Sequence, residues 1–140
     1  MQHLLPAGWK RPSGYSAGIA ADGHLVFVAG MIGWNAAEEF ETDDLVGQLR
    51  QALVNIRAVL AAAGAGPQHV ARMTWYLTDR RGYLDRREEI GHVWREVMGR
   101  VYPAMAVVEV SALLEDRAKV EIETTAVVPR DEPLFSSWAP

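Results

Sequence analysis

Residues 102–128 read YPAMAVVEVSALLEDRAKVEIETTAVV, and this stretch decides the fold class. Its second half alternates, with Lys119, Glu121 and Glu123 on one side and Val120, Ile122 and Thr124 on the other. A period of two marks a strand with one wet and one dry face, here over 118–128. The first half is an apolar run rich in Val and Ala and predicts a second strand over 104–110. Glu115, Asp116 and Arg117 lie between them and suit a turn exposed to water. The two strands are therefore expected to face each other across a short charged loop.

Upstream, Leu84, Ile90, Val93, Trp94 and Val97 form an apolar face over 83–98, opposite a charged face, and predict a helix. A charged turn over 79–82 precedes it. Residues 70–78 (VARMTWYLT) concentrate β-branched and aromatic side chains and predict a strand. The strongest helix signal is 42–63. Leu45, Leu49, Leu53, Ile56, Val59 and Leu60 recur at helical spacing, Thr42 is the expected N-cap, and Gly64 the stop. Residues 15–19 and 24–29 read as two strands joined at Asp22-Gly23, a strong hairpin signal. Gly30 and Gly33 then allow the backbone to bend or to approach another group closely. Residues 1–13 read as irregular. The tail after Pro129 shows no periodicity, yet carries Leu134, Phe135 and Trp138, suited to docking on a neighbour.

Strands and helices in this mixed order predict an α+β fold, with a mixed sheet and two helices packed on one of its faces. A chain of 140 residues with no long linker is expected to form one domain over 1–140, with its core at about 14–128. The net charge of −4 argues against nucleic acid as a partner, because phosphate binding needs clustered Lys and Arg. The absence of cysteine excludes disulfides and thiol chemistry. His3, His24, His69 and His92 lack metal-ligand spacing, so no metal site is expected. No apolar run reaches the roughly 20 residues of a membrane helix, nor is there a signal peptide, so a cytoplasmic protein with no membrane partner is expected.

The pairing of YPA and VEV with KVEIE and a following alanine resembles the signature of the YjgF/Rid family, which includes the enamine and imine deaminases called RidA. The resemblance extends from about Gly14 to Val128. It implies a chorismate-mutase-like fold and a homotrimer in which three sheets form a central barrel, with small-molecule sites at the subunit interfaces and no cofactor. Carried over residue by residue, it implies that Glu121 positions the water that attacks an imine carbon. It implies that Tyr15 lines the site, and that backbone groups of Gly30 or Ala104 hold the substrate. Read alone, the strand carboxylates Glu121 and Glu123 are surface residues and Tyr15 is a packing residue.

One position departs from the family pattern. The deaminases carry an arginine after Pro-Ala, where this chain has Met105. A guanidinium grips a carboxylate through two parallel hydrogen bonds, and a thioether offers none. Roughly 1.5–3 kcal/mol of recognition is thereby unprovided, so small 2-imino acids are expected to be poor substrates. Val107 stands where many relatives carry cysteine. Trp34 is a candidate wall for a more apolar pocket, and Arg87, with Arg72, for a guanidinium arriving from another direction. Two functions follow: a hydrolase deaminating an enamine or imine, or a non-catalytic trimer that binds a small metabolite.

Overall fold

The computed structural model describes residues 1–134. Expectations for Phe135 and Trp138 lie outside the described residues. The chain runs β1 (Gln2–Leu4), β2 (Gly18–Ala20), β3 (His24–Ile32), α1 (Leu45–Ala62), a 3-10 turn (Pro67–His69), β4 (Val70–Leu77), α2 (Arg80–Asp85), α3 (Arg87–Met98), β5 (Ala104–Glu109) and β6 (Val120–Val128). Four strands form one mixed sheet in the order β3-β6-β4-β5. β6 is antiparallel to both its neighbours, and β4 is parallel to β5. The architecture is the expected α+β fold with the two long helices on one face.

Each element forms for a local reason. α1 begins where the Asp44 side chain accepts a hydrogen bond from the Gly47 N–H at 3.0 Å. This capping bond satisfies a backbone donor that the first turn leaves unpaired. Asp44, not Thr42, is therefore the N-cap; the Thr42 hydroxyl instead accepts from the Asp44 N–H at 3.1 Å. Gly64, at φ +73, ends the helix in the left-handed conformation that glycine adopts without penalty. The stripe Leu49, Leu53, Ile56 and Leu60 is fully buried. Each such side chain contributes about 1.5–3 kcal/mol through burial. They meet Ile90, Val93, Trp94 and Val97 of α3, and Met73, Trp75, Val120 and Ile122 of the sheet, in one core.

The opposite face of the sheet carries no helix among the described residues. Leu25 and Phe27 are 58% and 72% exposed there, alongside Arg72, Thr74, Tyr76, Glu121 and Glu123. The alternation on β6 places residues as the sequence predicts: Val120, Ile122 and Thr124 are buried, and Glu121 and Glu123 are not.

Four details differ from the sequence reading. β5 and β6 are not partners, because β4 lies between them. Their connection is too long for a tight hairpin and crosses the end of β4, where Val110 N–H bonds the Leu77 carbonyl and Thr78 N–H the Lys119 carbonyl. β2 and β3 do not form a hairpin: β2 pairs with β1, an N-terminal arm read as irregular, and β3 pairs with β6. Asp22-Gly23 does turn the chain, but it packs against the Val128 carbonyl, leaving no room for a side chain at Gly23. The helix expected over 83–98 is two, broken at Arg86. Asp79 starts the first by accepting from Gly82 N–H at 2.9 Å, so the expected charged turn is already helical. Among the described residues no helix is long and apolar enough to cross a membrane.

Candidate active site

The period of β6 aims Glu121 at the open face of the sheet, where it is half-buried. Tyr76 of β4 stands opposite it in register. On the β3 side the backbone of Gly30 approaches so closely that a β-carbon there would lie 2.8 Å from Glu121 Cδ. Any larger residue at this position would push the Glu121 carboxyl group aside, since such atoms normally stay about 3.5–4.0 Å apart. Glu123 belongs to the same face and accepts a hydrogen bond from the Tyr76 hydroxyl at 2.8 Å. That acceptor raises the pKa of Tyr76 and keeps its phenol protonated. Glu123 thus has a partner, though not Lys119 or Arg117; Arg117 pairs with Asp43 at 2.9 Å.

The edge strand β5 builds a second set of groups. Met105 and Val107 are in register with Met73 and Trp75, so they point toward the helix side. There they line an open cleft of about 850 Å³ with Tyr15, Arg87, Trp94 and Tyr102 among its walls. Trp94 is held by its indole N–H, which donates to the Val101 carbonyl at 3.0 Å. Trp75 packs on Trp94 with ring centres 5.9 Å apart, and edge-on against Tyr83 at 6.4 Å. Burial pushes the Tyr83 phenol up, opposed by the nearby Arg87 charge. Tyr15, 46% exposed, is brought to the cleft because Ser16 bridges Ala104 and donates its N–H to the Pro103 carbonyl at 3.0 Å.

The residues singled out in the sequence therefore fall into two groups on opposite faces of one sheet. Glu121 and Gly30 occupy the open face. Tyr15, Met105, Val107 and Arg87 share the cleft on the helix side, with the Ala104 backbone at the edge between. Within one chain Glu121 does not face Tyr15. Trp34 lines neither group; it stacks on Phe40 at 5.9 Å, and its carbonyl is held by Asn55. Arg72 lies on the open face, away from Met105. Tyr76, Trp75, Trp94 and Tyr102 were not singled out. Tyr76 was legible from the alternation Arg72, Thr74, Tyr76 that accompanies the buried Met73, Trp75 and Leu77. Among the described residues no three His, Asp or Glu side chains are grouped to hold a metal ion.

The endoribonuclease L-PSP family matches residues 9–128 of this chain. The chain belongs to the YjgF/Rid family. A RutC family protein of Pyrococcus horikoshii is 38% identical over 113 residues, covering 80% of this chain and 85% of its own. A 2-iminobutanoate/2-iminopropanoate deaminase of Capra hircus is 29% identical over 114 residues, covering 81% and 79%. The crystal structure of the Rid family protein YyfB of Yersinia pestis superimposes with a TM-score of 0.78 at 30% identity, over 91% of this chain and 98% of that one.

Proposed function

We propose that this Rid protein is a cytoplasmic homotrimer that hydrolyses an enamine or imine to a carbonyl compound and ammonia, and that its site is completed between copies. The carrying observation is the division of the site. Glu121, set against Gly30, lies on one face of the sheet, and Tyr15 with the Met105 cleft lies on the other. Identical copies arranged in a ring bring one face of each subunit to the edge of the next, as a heterologous interface requires. The exposed Leu25 and Phe27 on the open face support its being covered by another copy.

The chemistry asks little of the protein. Glu121 accepts a proton from water as the oxygen attacks the C=N carbon. The resulting carbinolamine expels its nitrogen as ammonia once that nitrogen is protonated, and loss of the hydroxyl proton forms the C=O bond. A positioned carboxylate contributes about 10²–10⁴-fold to such a step. The Tyr15 hydroxyl hydrogen-bonds the reacting group, and backbone groups of Gly30 and Ala104 hold the substrate. Met105 and Val107 make the cleft wall apolar, with Arg87 at its rim. The goat relative is named for 2-iminobutanoate and 2-iminopropanoate. This chain lacks a guanidinium at Met105, and its preferred substrate is a larger imine.

The test is ammonia release from freshly generated imines of a series of 2-oxo acids. Faster turnover of long or aromatic members than of the pyruvate imine is expected, with loss of about 10²-fold or more in Glu121→Gln. No acceleration of any member would contradict the hydrolase. It would leave the second reading, a trimer that binds metabolites without turning them over, which the apolar Met105 and Val107 favour.

A further inference from the structure

The N-terminal arm builds a second cleft, of about 640 Å³, beside the first, and the two share Ser13, Gly14, Tyr15 and Tyr102. The arm is fastened there. β1 pairs with β2, and His3 Nδ1 lies 2.6 Å from the Ser16 hydroxyl. Ser16, itself buried, donates its only hydroxyl hydrogen to the Tyr102 carbonyl, so the imidazole Nδ1 is the donor to Ser16 Oγ. This chain of two bonds fixes the ring of His3, whose Nε2 has no partner among the described residues. Arg11 lines the same cleft and forms no ion pair among the described residues. The arginines with ion pairs, such as Arg50, Arg86, Arg117 and Arg130, each have a carboxylate partner elsewhere.

No Asp or Glu lines the Arg11 cleft, although the chain as a whole is acidic. The neighbouring cleft differs in this respect, since Glu88 is among its lining residues, with Arg87 and Arg95. An unopposed guanidinium among hydroxyls is suited to a carboxylate, which it can hold through two parallel hydrogen bonds. We infer that Arg11, on an arm locked by His3 and Ser16, is the carboxylate-binding group of this protein. It would take over the grip that Met105 cannot provide and would set the substrate class as an acid with an apolar body. The acid group would sit against Arg11, and the body would lie past Tyr15 and Tyr102 on Met105, Val107 and Trp94. The identity of the ligand as a substrate rests on the hydrolase reading; the carboxylate site does not.

Calorimetric titration with phenylpyruvate and with phenylacetone, the same body without the carboxylate, separates the two parts of the claim. The wild type is expected to bind the acid about tenfold or more tightly than the ketone, as a charge-assisted pair implies. In Arg11→Gln the acid is expected to fall to the level of the ketone, with ketone binding unchanged. Arg87→Gln serves as the competing arm. An acid preference that persists in Arg11→Gln overturns the inference, as does equal loss of both ligands, or a wild type that binds no acid. If Arg11-dependent acid binding occurs without turnover of any imine, the hydrolase reading fails and the site stands. Turnover of acidic and neutral imines alike, indifferent to Arg11→Gln, would show the reverse.

Discussion

Gly30→Ala probes the contact on which the placement of Glu121 depends. A β-carbon at this position would lie 2.8 Å from Glu121 Cδ, 3.0 Å from Cγ and 3.1 Å from Oε2. Ordinary carbon contacts begin near ~3.5 Å, so the carboxyl group must retreat by about 0.7 Å or more. The Glu121 side chain is free to give way, and the backbone at Gly30 does not have positive φ, so alanine meets no backbone strain. Overpacking costs typically about 1–3 kcal/mol, and replacing a strand glycine returns roughly 0.5–1. With a flexible side chain yielding, stability should change by no more than about 1 kcal/mol. A displacement of this size at a reacting group costs about 10²-fold in rate. The assay is kcat/KM for ammonia release on the imine that the wild type hydrolyses fastest, beside the urea unfolding midpoint of the same preparation. Folded Gly30→Ala with wild-type kcat/KM would refute the reasoning. Loss of activity and of stability together would refute it too, by showing a structural role alone.

Met105→Arg is expected to raise hydrolysis of the pyruvate imine about tenfold or more, and the gain should vanish when Glu121→Ala is added. The new guanidinium would share its cleft with Arg87 and Glu88; Glu109, which accepts from the Arg80 N–H, and Glu121, across the sheet, are not its partners. Asp44→Ala should lower the unfolding free energy by about 1 kcal/mol, read from urea titration, because it removes the α1 cap. Hydrogen bonds from Arg86 and then from the Gly47 N–H hold the Asp44 carboxyl below its usual pKa. Its stabilisation is therefore present above the unfolded value near ~3.9 and lost as pH falls through the lower folded value. The stability gap between wild type and Asp44→Asn should accordingly be flat above about pH 5 and narrow progressively below it. Light scattering at micromolar concentration should report three copies, and a stable monomer would remove the shared site.

The sequence made the faces of the elements legible and their neighbours less so. Val120, Ile122 and Thr124 are buried as their alternation demands, and the stripe from Leu49 to Leu60 faces the core. Gly30 and Gly33 could be read as close approaches, and they are: one meets Glu121 and the other Gln48. Pairing was harder, because periodicity says which side of a strand is dry but not which strand lies beside it. That is why β5 and β6 read as neighbours although β4 separates them. The three-residue β1 was hidden by Pro6, Gly8 and Pro12, which break the chain just after it. The division of the site was hidden for a related reason. Spacing places Glu121 on a face, while the distance to Tyr15 depends on the whole sheet and on how copies meet.

Subunit mixing tests the central claim most directly. Glu121→Ala and Tyr15→Phe are each expected to lose most activity as pure proteins. Unfolded together in equal amounts and refolded, they should form trimers in which some sites join the intact Glu121 of one copy to the intact Tyr15 of the next. Random assortment around a ring makes this true of about a quarter of the sites, so about a quarter of wild-type activity should return. A mixture no more active than the two separate variants would contradict a site shared between copies.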